Sequence, residues 1–322
     1  MPAKNVKSRL SAELEGRLCC PICKALIKRV DNGFQCQDAQ CNAVFPVLNG
    51  VPILIDEKNS LFAISDYVNK KDVFFKKHNW FKAALSRIIP SIGVNIAGRK
   101  NYRKMKQMLL ERSRKPRVLV LGGGILGDGM KEMLDAGIEL VETDVALVQR
   151  TQIVVDAHSI PFADSVFDGV IAQAVLEHVV DPQKCVSEIH RVLKPEGIVY
   201  VEVPFMQQVH AGAYDFCRFS HIGLLRLMRQ FNEISSGTCV GVGSSLAWSV
   251  QYFLLAFFTN NVARKCVQIF CSLALFPLKY FDFFLTNTPS TYDAASGYFF
   301  LGCRSNCCIR DKEVITKYRG CF

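Results

Sequence analysis

A chain of 322 residues, 50% hydrophobic and 21% charged, has the composition of a folded protein and excludes a disordered one. Its 39 Lys and Arg against 29 Asp and Glu give a formal net charge of +10, which favours an anionic partner without choosing among nucleic acid, phospholipid headgroups and a phosphorylated substrate. Fourteen cysteines accompany an N-terminus that lacks a signal-peptide pattern, so a reducing compartment with some thiols committed to metal is expected in place of a secreted disulfide framework. No uncharged, continuously apolar 20-mer stands out, which argues against a membrane-spanning protein and leaves shallow membrane contact open.

The first chemical unit lies at residues 19–55. Cys20-Pro-Ile-Cys23 is followed, after twelve residues, by Cys36 and then Cys41. A CPxC turn brings two sulfurs together, and a hairpin between the pairs would return the second pair to complete a tetrahedron. Cys20, Cys23, Cys36 and Cys41 are therefore the expected ligands of a structural Zn²⁺. Cys19 is a substitute for Cys20 with poorer spacing, and reduced cysteines packed inside a small β-unit are the alternative. Four thiolates leave no open coordination position, so no catalytic step is assigned to this metal.

A basic stretch follows. Lys70, Lys71, Lys76, Lys77 and Lys82 are interleaved with Phe74, Phe75, Trp80 and Phe81, and residues Arg99 to Arg117 hold nine Lys or Arg against the single acid Glu111. These segments read as helices that connect or cover the domains, with breaks at Pro90 and Gly98, and present either a solvated basic face or an anion-binding surface.

From Arg117 the pattern changes to alternating strands and helices. Arg117 to Leu121 reads as a buried strand running into Gly122-Gly123-Gly124-Ile125-Leu126-Gly127, with a helix expected to begin near Asp128. A second strand, Ile138 to Asp144, ends in acids. A third, Ile153 to Ala157, carries Asp156 at its end. A turn and a fourth strand follow through Ile171, then a helix to about Leu193, then a fifth strand in LKPEGIVYVEVP. Such junctions gather loops at one sheet edge, where a cofactor and a substrate can meet.

Further along, Ser220 is expected to cap a helix whose Leu224, Leu225, Leu227 and Met228 are buried. Two apolar segments, Leu246 to Phe258 and Val267 to Phe284, are divided by Arg264 and Lys265, and Pro277 is expected to kink or end the second. They read as a lid, a dimer surface or a pair of interfacial helices. Ser296 to Gly302 reads as a final strand returning to the sheet. Cys303, Cys307 and Cys308 lack tetrahedral spacing and read as ordinary thiols.

The runs DAHSIPFADSVFDGV, VLEHVVDP and EIHRVLKPEGIVYVEVP resemble class I S-adenosylmethionine-dependent methyltransferases of the broad small-molecule type (methyltransferase type 11-like), over about residues 105–241. The resemblance implies a Rossmann-like α/β sheet in which Gly122, Gly124 and Gly127 shape the cofactor turn, Asp144 receives the ribose, and Asp156 with Ala157 lies near adenine. Val120 departs from the pattern, since an acid often stands there. The N-terminal cysteines resemble the zinc module that accompanies some methyltransferases, RNA methyltransferases included, fused or as an activator subunit.

The expected layout is a zinc-binding module at 1–60, a basic helical linker at 61–116, the S-adenosylmethionine-binding core at 117–241, and an apolar helical lid or membrane-facing segment with a returning strand at 242–322. The implied activity is methyl transfer to a small-molecule or lipid-linked acceptor. An RNA methyltransferase and a non-catalytic cofactor-binding protein are the alternatives, and no NPPY-like tetrapeptide of adenine or glutamine N-methylation is present. His178, His210 and Asp215 are candidate proton acceptors. The competing reading makes His178 a loop hydrogen-bonder and pairs Asp215 with Arg218 to fix its loop. An anionic membrane surface is an expected partner, RNA stays open, and the expected location is cytoplasmic with peripheral membrane contact.

Overall fold

The computed structural model describes residues 9–31, 33–69, 89–135 and 137–321. The lysines and aromatics of the first basic stretch, Lys70 to Lys82, lie outside the described residues. Four strands belong to the N-terminal unit: β1 (Ile27–Val30), β2 (Gly33–Cys36), β3 (Val44–Leu48) and β4 (Val51–Leu54). Seven more follow: β5 (Arg117–Leu121), β6 (Glu139–Asp144), β7 (Ile153–Val155), β8 (Phe167–Gln173), β9 (Leu193–Pro204), β10 (Phe231–Val240) and β11 (Gly297–Arg304). All are joined in one sheet of order β1-β2-β3-β4-β7-β6-β5-β8-β9-β11-β10.

The sheet is parallel from β4 through β9, and β11 is inserted antiparallel between β9 and β10. The chain thus builds outward from β5 in both directions, which makes the β5/β8 boundary the topological switch point where ligands enter such sheets. The N-terminal unit is not a separate bead. Ile53 and Leu54 of β4 pair with Val154 and Val155 of β7, extending the central sheet at its edge.

Alternation along β5 sends Leu119 and Leu121 to one face and Val118 and Val120 to the other, each into its own core. The first core joins Leu14, Phe34, Phe45 and Leu54 of the N-terminal unit to Val155, Phe162 and Phe167, and receives two helices. The first, α2 (Pro182–Val192), buries Cys185, Val186, Ile189 and Val192 at helical spacing, with Asp181 capping its start and Pro182 in its first turn. The second, α3 (His221–Leu227), is capped by Ser220 Oγ on the Gly223 amide and buries Leu224, Leu225 and Leu227, with Met228 just beyond, as the sequence led us to expect.

On the opposite face lies α1 (Gly98–Arg112), which buries Tyr102, Met105 and Leu109. Its basic face is largely neutralised within the chain: Arg99 and Arg103 pair with Glu132, and Lys106 pairs with Asp135. The helix expected from Asp128 is reduced to one 3-10 turn, Met130–Met133, which supplies Glu132 to α1. Only 17 residues separate Leu121 from Glu139, and Gly129, at φ 83°, starts the turn on a backbone geometry that an α-helix does not use.

The apolar C-terminal segments form α4 (Val242–Leu255) and α5 (Asn261–Leu275). As expected from Pro277, the α-helix ends there and continues as a 3-10 stretch, Phe276–Phe281. The run Asn261–Leu285 is long and apolar enough to cross a membrane by length and composition, though it is not an uncharged 20-mer; 11% of its most apolar window is buried in the fold. Arg264, Lys265, Lys279 and Asp282 are spaced through it. Asp282 is buried and accepts hydrogen bonds from the Gly241 and Gly243 amides and Ser244 Oγ, which anchors the hairpin to the start of α4. The returning strand is β11, two residues longer than Ser296 to Gly302 at its C-terminal end.

Candidate active site

Two centres gather the residues that carry chemistry. The first is the cysteine cluster. The β1–β2 hairpin lies between the two cysteine pairs and folds Cys36 back onto the turn at Cys20 to Cys23. Cys20 Sγ is 3.7 Å from Cys41 Sγ, Cys23 Sγ is 3.4 Å from Cys36 Sγ, and all four sulfurs lie within 4.8 Å of one another. Four sulfurs at ~2.3 Å around one ion would stand about 3.8 Å apart, so the set fits tetrahedral Zn²⁺. Burial pushes the Cys20 thiol up to about 12. Cys19 is buried next to the cluster but is not one of the four sulfurs that meet.

The second centre is a cavity of about 420 Å³ at the carboxyl ends of β5, β6, β7 and β8. Its floor is the glycine turn. Gly122 has φ 67°, and a Cβ there would stand 2.7 Å from Val175 Cγ2, so glycine is required on both counts. Gly124 and Gly127 are also tightly enclosed, by Asp144 and Gln173 respectively. Asp144 ends β6 and holds the turn directly: its Oδ2 accepts the Gly124 amide at 2.9 Å and its Oδ1 accepts the Ala146 amide at 2.8 Å. Burial raises its pKa, and these amides pull against that rise. Val120, in the place where an acid is often found, is packed in the second core.

Asp156 follows β7 and lines the same wall with Ala157. Burial pushes its carboxyl up, but hydrogen bonds from His158 and Ser60 outweigh it and the net pKa is lowered. His158 Nε2 accepts the Asp181 amide at 3.0 Å, which leaves its proton on Nδ1, 2.6 Å from Asp156. All six expected cofactor residues thus meet at one sheet edge; Gly124 and Gly127 support the turn while Gly122, Asp144, Asp156 and Ala157 line the cavity.

The opposite wall carries the candidate proton acceptors. His178 stands on a short turn after β8, and its Nδ1 donates to the Tyr214 carbonyl at 2.8 Å. Burial lowers its pKa, so the ring is neutral near pH 7 with its basic nitrogen at Nε2. His210 reaches the same wall from the loop after β9, with ring centroids 4.9 Å apart. Asp215 is differently placed. Both of its oxygens are held by Arg218, Oδ2 also accepts the His210 amide, and these groups hold its carboxyl well below the usual range. A carboxylate so stabilised is a weak base, and the geometry gives Asp215 the task of fixing the His210 loop.

Several residues of the site had no marked signal in the sequence. Leu61 and Phe62 close the cavity from the loop after β4, and Phe62 stacks on Tyr214 at 5.8 Å. Beneath the glycine turn, the buried Glu202 accepts from Gln173 at 2.7 Å, from Asn95 at 2.8 Å and from Tyr200. Glu177, beside His178 in the sequence, is buried with neither carboxylate oxygen hydrogen-bonded among the described residues, and burial pushes its pKa up to about 8. Their convergence depends on pairing distant segments, which local spacing does not encode.

A doubly wound sheet with a reversed seventh core strand, a glycine turn braced by the acid at the end of the next strand, and a cavity at the switch point make up the architecture of class I methyltransferase domains. Residues 126–201 match the methyltransferase domain family. The chain is 34% identical over 103 residues to the ubiquinone/menaquinone biosynthesis C-methyltransferase of Pseudoalteromonas translucida, a match covering 31% of this chain and 40% of that protein. It is 35% identical over 95 residues to the demethylmenaquinone methyltransferase of Renibacterium salmoninarum, covering 26% and 40%. The matches therefore span well under half the length of these relatives. Among solved structures, a putative sarcosine dimethylglycine methyltransferase from Galdieria sulphuraria aligns with 67% of this chain and 93% of its own at 15% identity and a TM-score of 0.41.

Proposed function

We propose that this chain transfers the methyl group of S-adenosylmethionine to a small-molecule acceptor, and that the acceptor carries an apolar or lipid-linked group. The observation that carries the reading is the single cavity that joins Asp144, Asp156 and Ala157 on one side to His178 and His210 on the other. In this reading Asp144 takes the ribose hydroxyls, Asp156 and Ala157 flank the adenine, and the turn at Gly122 admits the cofactor's backbone without a side chain in the way. The bound cofactor supplies an electrophilic methyl group on a sulfonium. His178, neutral and oriented by the Tyr214 carbonyl, takes a proton from the acceptor at Nε2. Positioning in the cavity supplies much of the remaining rate.

The cavity volume suits a compact acceptor, and quinone-pathway names among the partial relatives agree with a ring compound carrying an apolar tail. Exposed Phe253, Phe257 and Phe284, flanked by Arg264, Lys265 and Lys279, give α4, α5 and the turns after it the amphipathic character of a surface that meets an anionic bilayer, from which such an acceptor would be drawn. An RNA acceptor draws less support, since Arg99, Arg103 and Lys106 are already paired with acids of the same chain. In the same reading Cys20, Cys23, Cys36 and Cys41 hold a structural Zn²⁺ that fixes the edge of the sheet. The test is transfer from radiolabelled S-adenosylmethionine to separated RNA, protein, lipid and small-metabolite fractions. Label in the lipid or small-metabolite fraction supports the proposal, and label confined to RNA overturns it.

A further inference from the structure

We propose that Glu177, His178 and His210 form a binding site for a divalent first-row transition cation at the acceptor side of the cavity, distinct from the four-cysteine cluster. The three groups come from two segments, the turn after β8 and the loop after β9, and one donor atom from each lies within 4.8 Å of the others. Nε2 of His178 is 3.7 Å, and Nε2 of His210 is 4.0 Å, from Glu177 Oε1. Ligands at ~2.1 Å from one tetrahedral ion stand about 3.4 Å apart, so side-chain adjustments of under an ångström would close these two contacts on a common centre.

Two independent features point to a cation. The first is Glu177: its side chain is 1% exposed, and both oxygens lack a hydrogen-bond partner among the described residues. An unpartnered buried carboxyl is costly, and an ion coordinated by it removes the cost. The second is the orientation of both imidazoles. His178 is held through Nδ1 by the Tyr214 carbonyl, and His210 has Nδ1 3.4 Å from the Gln208 carbonyl and 3.5 Å from Asp215 Oδ2. Both rings thus meet oxygens at Nδ1 and turn Nε2 toward Glu177, the arrangement by which outer-shell oxygens orient metal-ligating histidines. It also gives Asp215 and Arg218 a purpose: the carboxylate fixed by Arg218 holds the His210 loop in register.

Two nitrogens and one carboxylate favour Zn²⁺, Fe²⁺, Co²⁺ or Mn²⁺ over Mg²⁺ and Ca²⁺. Three protein ligands leave positions open, and His210, one-third exposed, marks the open side toward the cavity. An ion there would occupy His178 Nε2 and so replace it as the group that activates the acceptor: it would coordinate an acceptor oxygen and lower its pKa, which narrows the acceptor to a hydroxyl-bearing compound. That last step rests on the methyl-transfer reading; cation binding does not.

The test is Co²⁺ titration of the full chain after one equivalent of Zn²⁺ has been supplied to the cysteines. One further equivalent of Co²⁺ is expected, with weak visible absorption and no thiolate-to-cobalt charge-transfer band. Glu177→Gln and His210→Ala, each shown to be folded by circular dichroism and thermal melting, are expected to lose this equivalent. Absence of a second equivalent in the parent, cobalt appearing only with the thiolate band, or saturation unchanged in both variants overturns the proposal. Calorimetry with S-adenosylmethionine on the same samples separates the two readings, because a chain that binds cobalt at these residues and no cofactor contradicts the methyltransferase reading alone.

Discussion

Replacing Asp144 probes the cofactor site where its geometry is most constrained. The carboxylate is 6% exposed and already bears two backbone amides, from Gly124 at 2.9 Å and Ala146 at 2.8 Å. Each oxygen retains a lone pair for a ribose hydroxyl. Hydrogen bonds to a charged group contribute about 1.5–3 kcal/mol each, so losing two costs roughly 3 kcal/mol at the low end. At about 1.4 kcal/mol per decade, Asp144→Ala is expected to weaken S-adenosylmethionine binding by about two orders of magnitude. The variant also strands the Gly124 and Ala146 amides, which lowers stability by about 1–3 kcal/mol. Asp144→Asn keeps one acceptor oxygen and is expected to fall between parent and alanine variant in both respects. Calorimetry with S-adenosylmethionine and S-adenosylhomocysteine, with thermal melts as the check on folding, measures both effects. A folded Asp144→Ala chain whose affinity changes less than threefold would refute the ribose assignment.

His221 predicts a pH dependence. It is buried, its Nε2 donates to Ser236 at 2.9 Å, its Nδ1 has no partner among the described residues, and burial pushes its pKa down to about 4 from an ordinary 6.5. The native state therefore holds it neutral, so its contribution is full above pH 6.5 and is lost as pH falls toward 4, by up to about 3 kcal/mol; urea midpoints at pH 7.5 and 4.5 should converge in His221→Gln relative to the parent, and an identical pH response in both would contradict this. Chelator-resistant zinc is expected at the cysteine cluster, and Cys20→Ser combined with Cys36→Ser should lose it and lower the melting temperature, because Phe34, Phe45 and Leu54 share a core with Val155 and Phe162. Zinc retained by that double variant would remove the assignment. A Cβ at Gly127 would stand 1.8 Å from Gln173 Oε1, and Gln173 also bonds Glu202 and accepts from Tyr102, so Gly127→Ala should cost about 1–3 kcal/mol in thermal unfolding and a cost near zero would show that the turn yields.

The residues legible in the sequence were those whose role follows from spacing. Cys20 and Cys23 could be paired from two intervening residues, Ser220 could be read as a cap from the apolar pattern behind it, and Pro277 from its missing amide. The order of strands after Leu121 followed from apolar runs separated by turns. What escaped depended on distant segments meeting. The helix expected at Asp128 shrank to a 3-10 turn because too few residues separate β5 from β6. Phe62 and Leu61 reach the cavity only because β4 pairs with β7. Glu177 was visible beside His178, but its lack of hydrogen-bond partners emerged only from the packing around it. The four charges spaced through Asn261–Leu285, the buried anchor Asp282 among them, interrupt a run whose length and mean hydropathy would otherwise suit a bilayer.

The central claim is that the cavity at the β5/β8 switch point holds S-adenosylmethionine with its reactive end toward His178 and His210. A crystal structure of the chain with S-adenosylhomocysteine tests it most directly. The account predicts ribose hydroxyls on the Asp144 carboxylate, adenine between Asp156, Ala157 and the neighbouring wall, and the thioether sulfur facing the two histidines; a nucleoside bound elsewhere, or a cavity left empty at millimolar ligand, would contradict it.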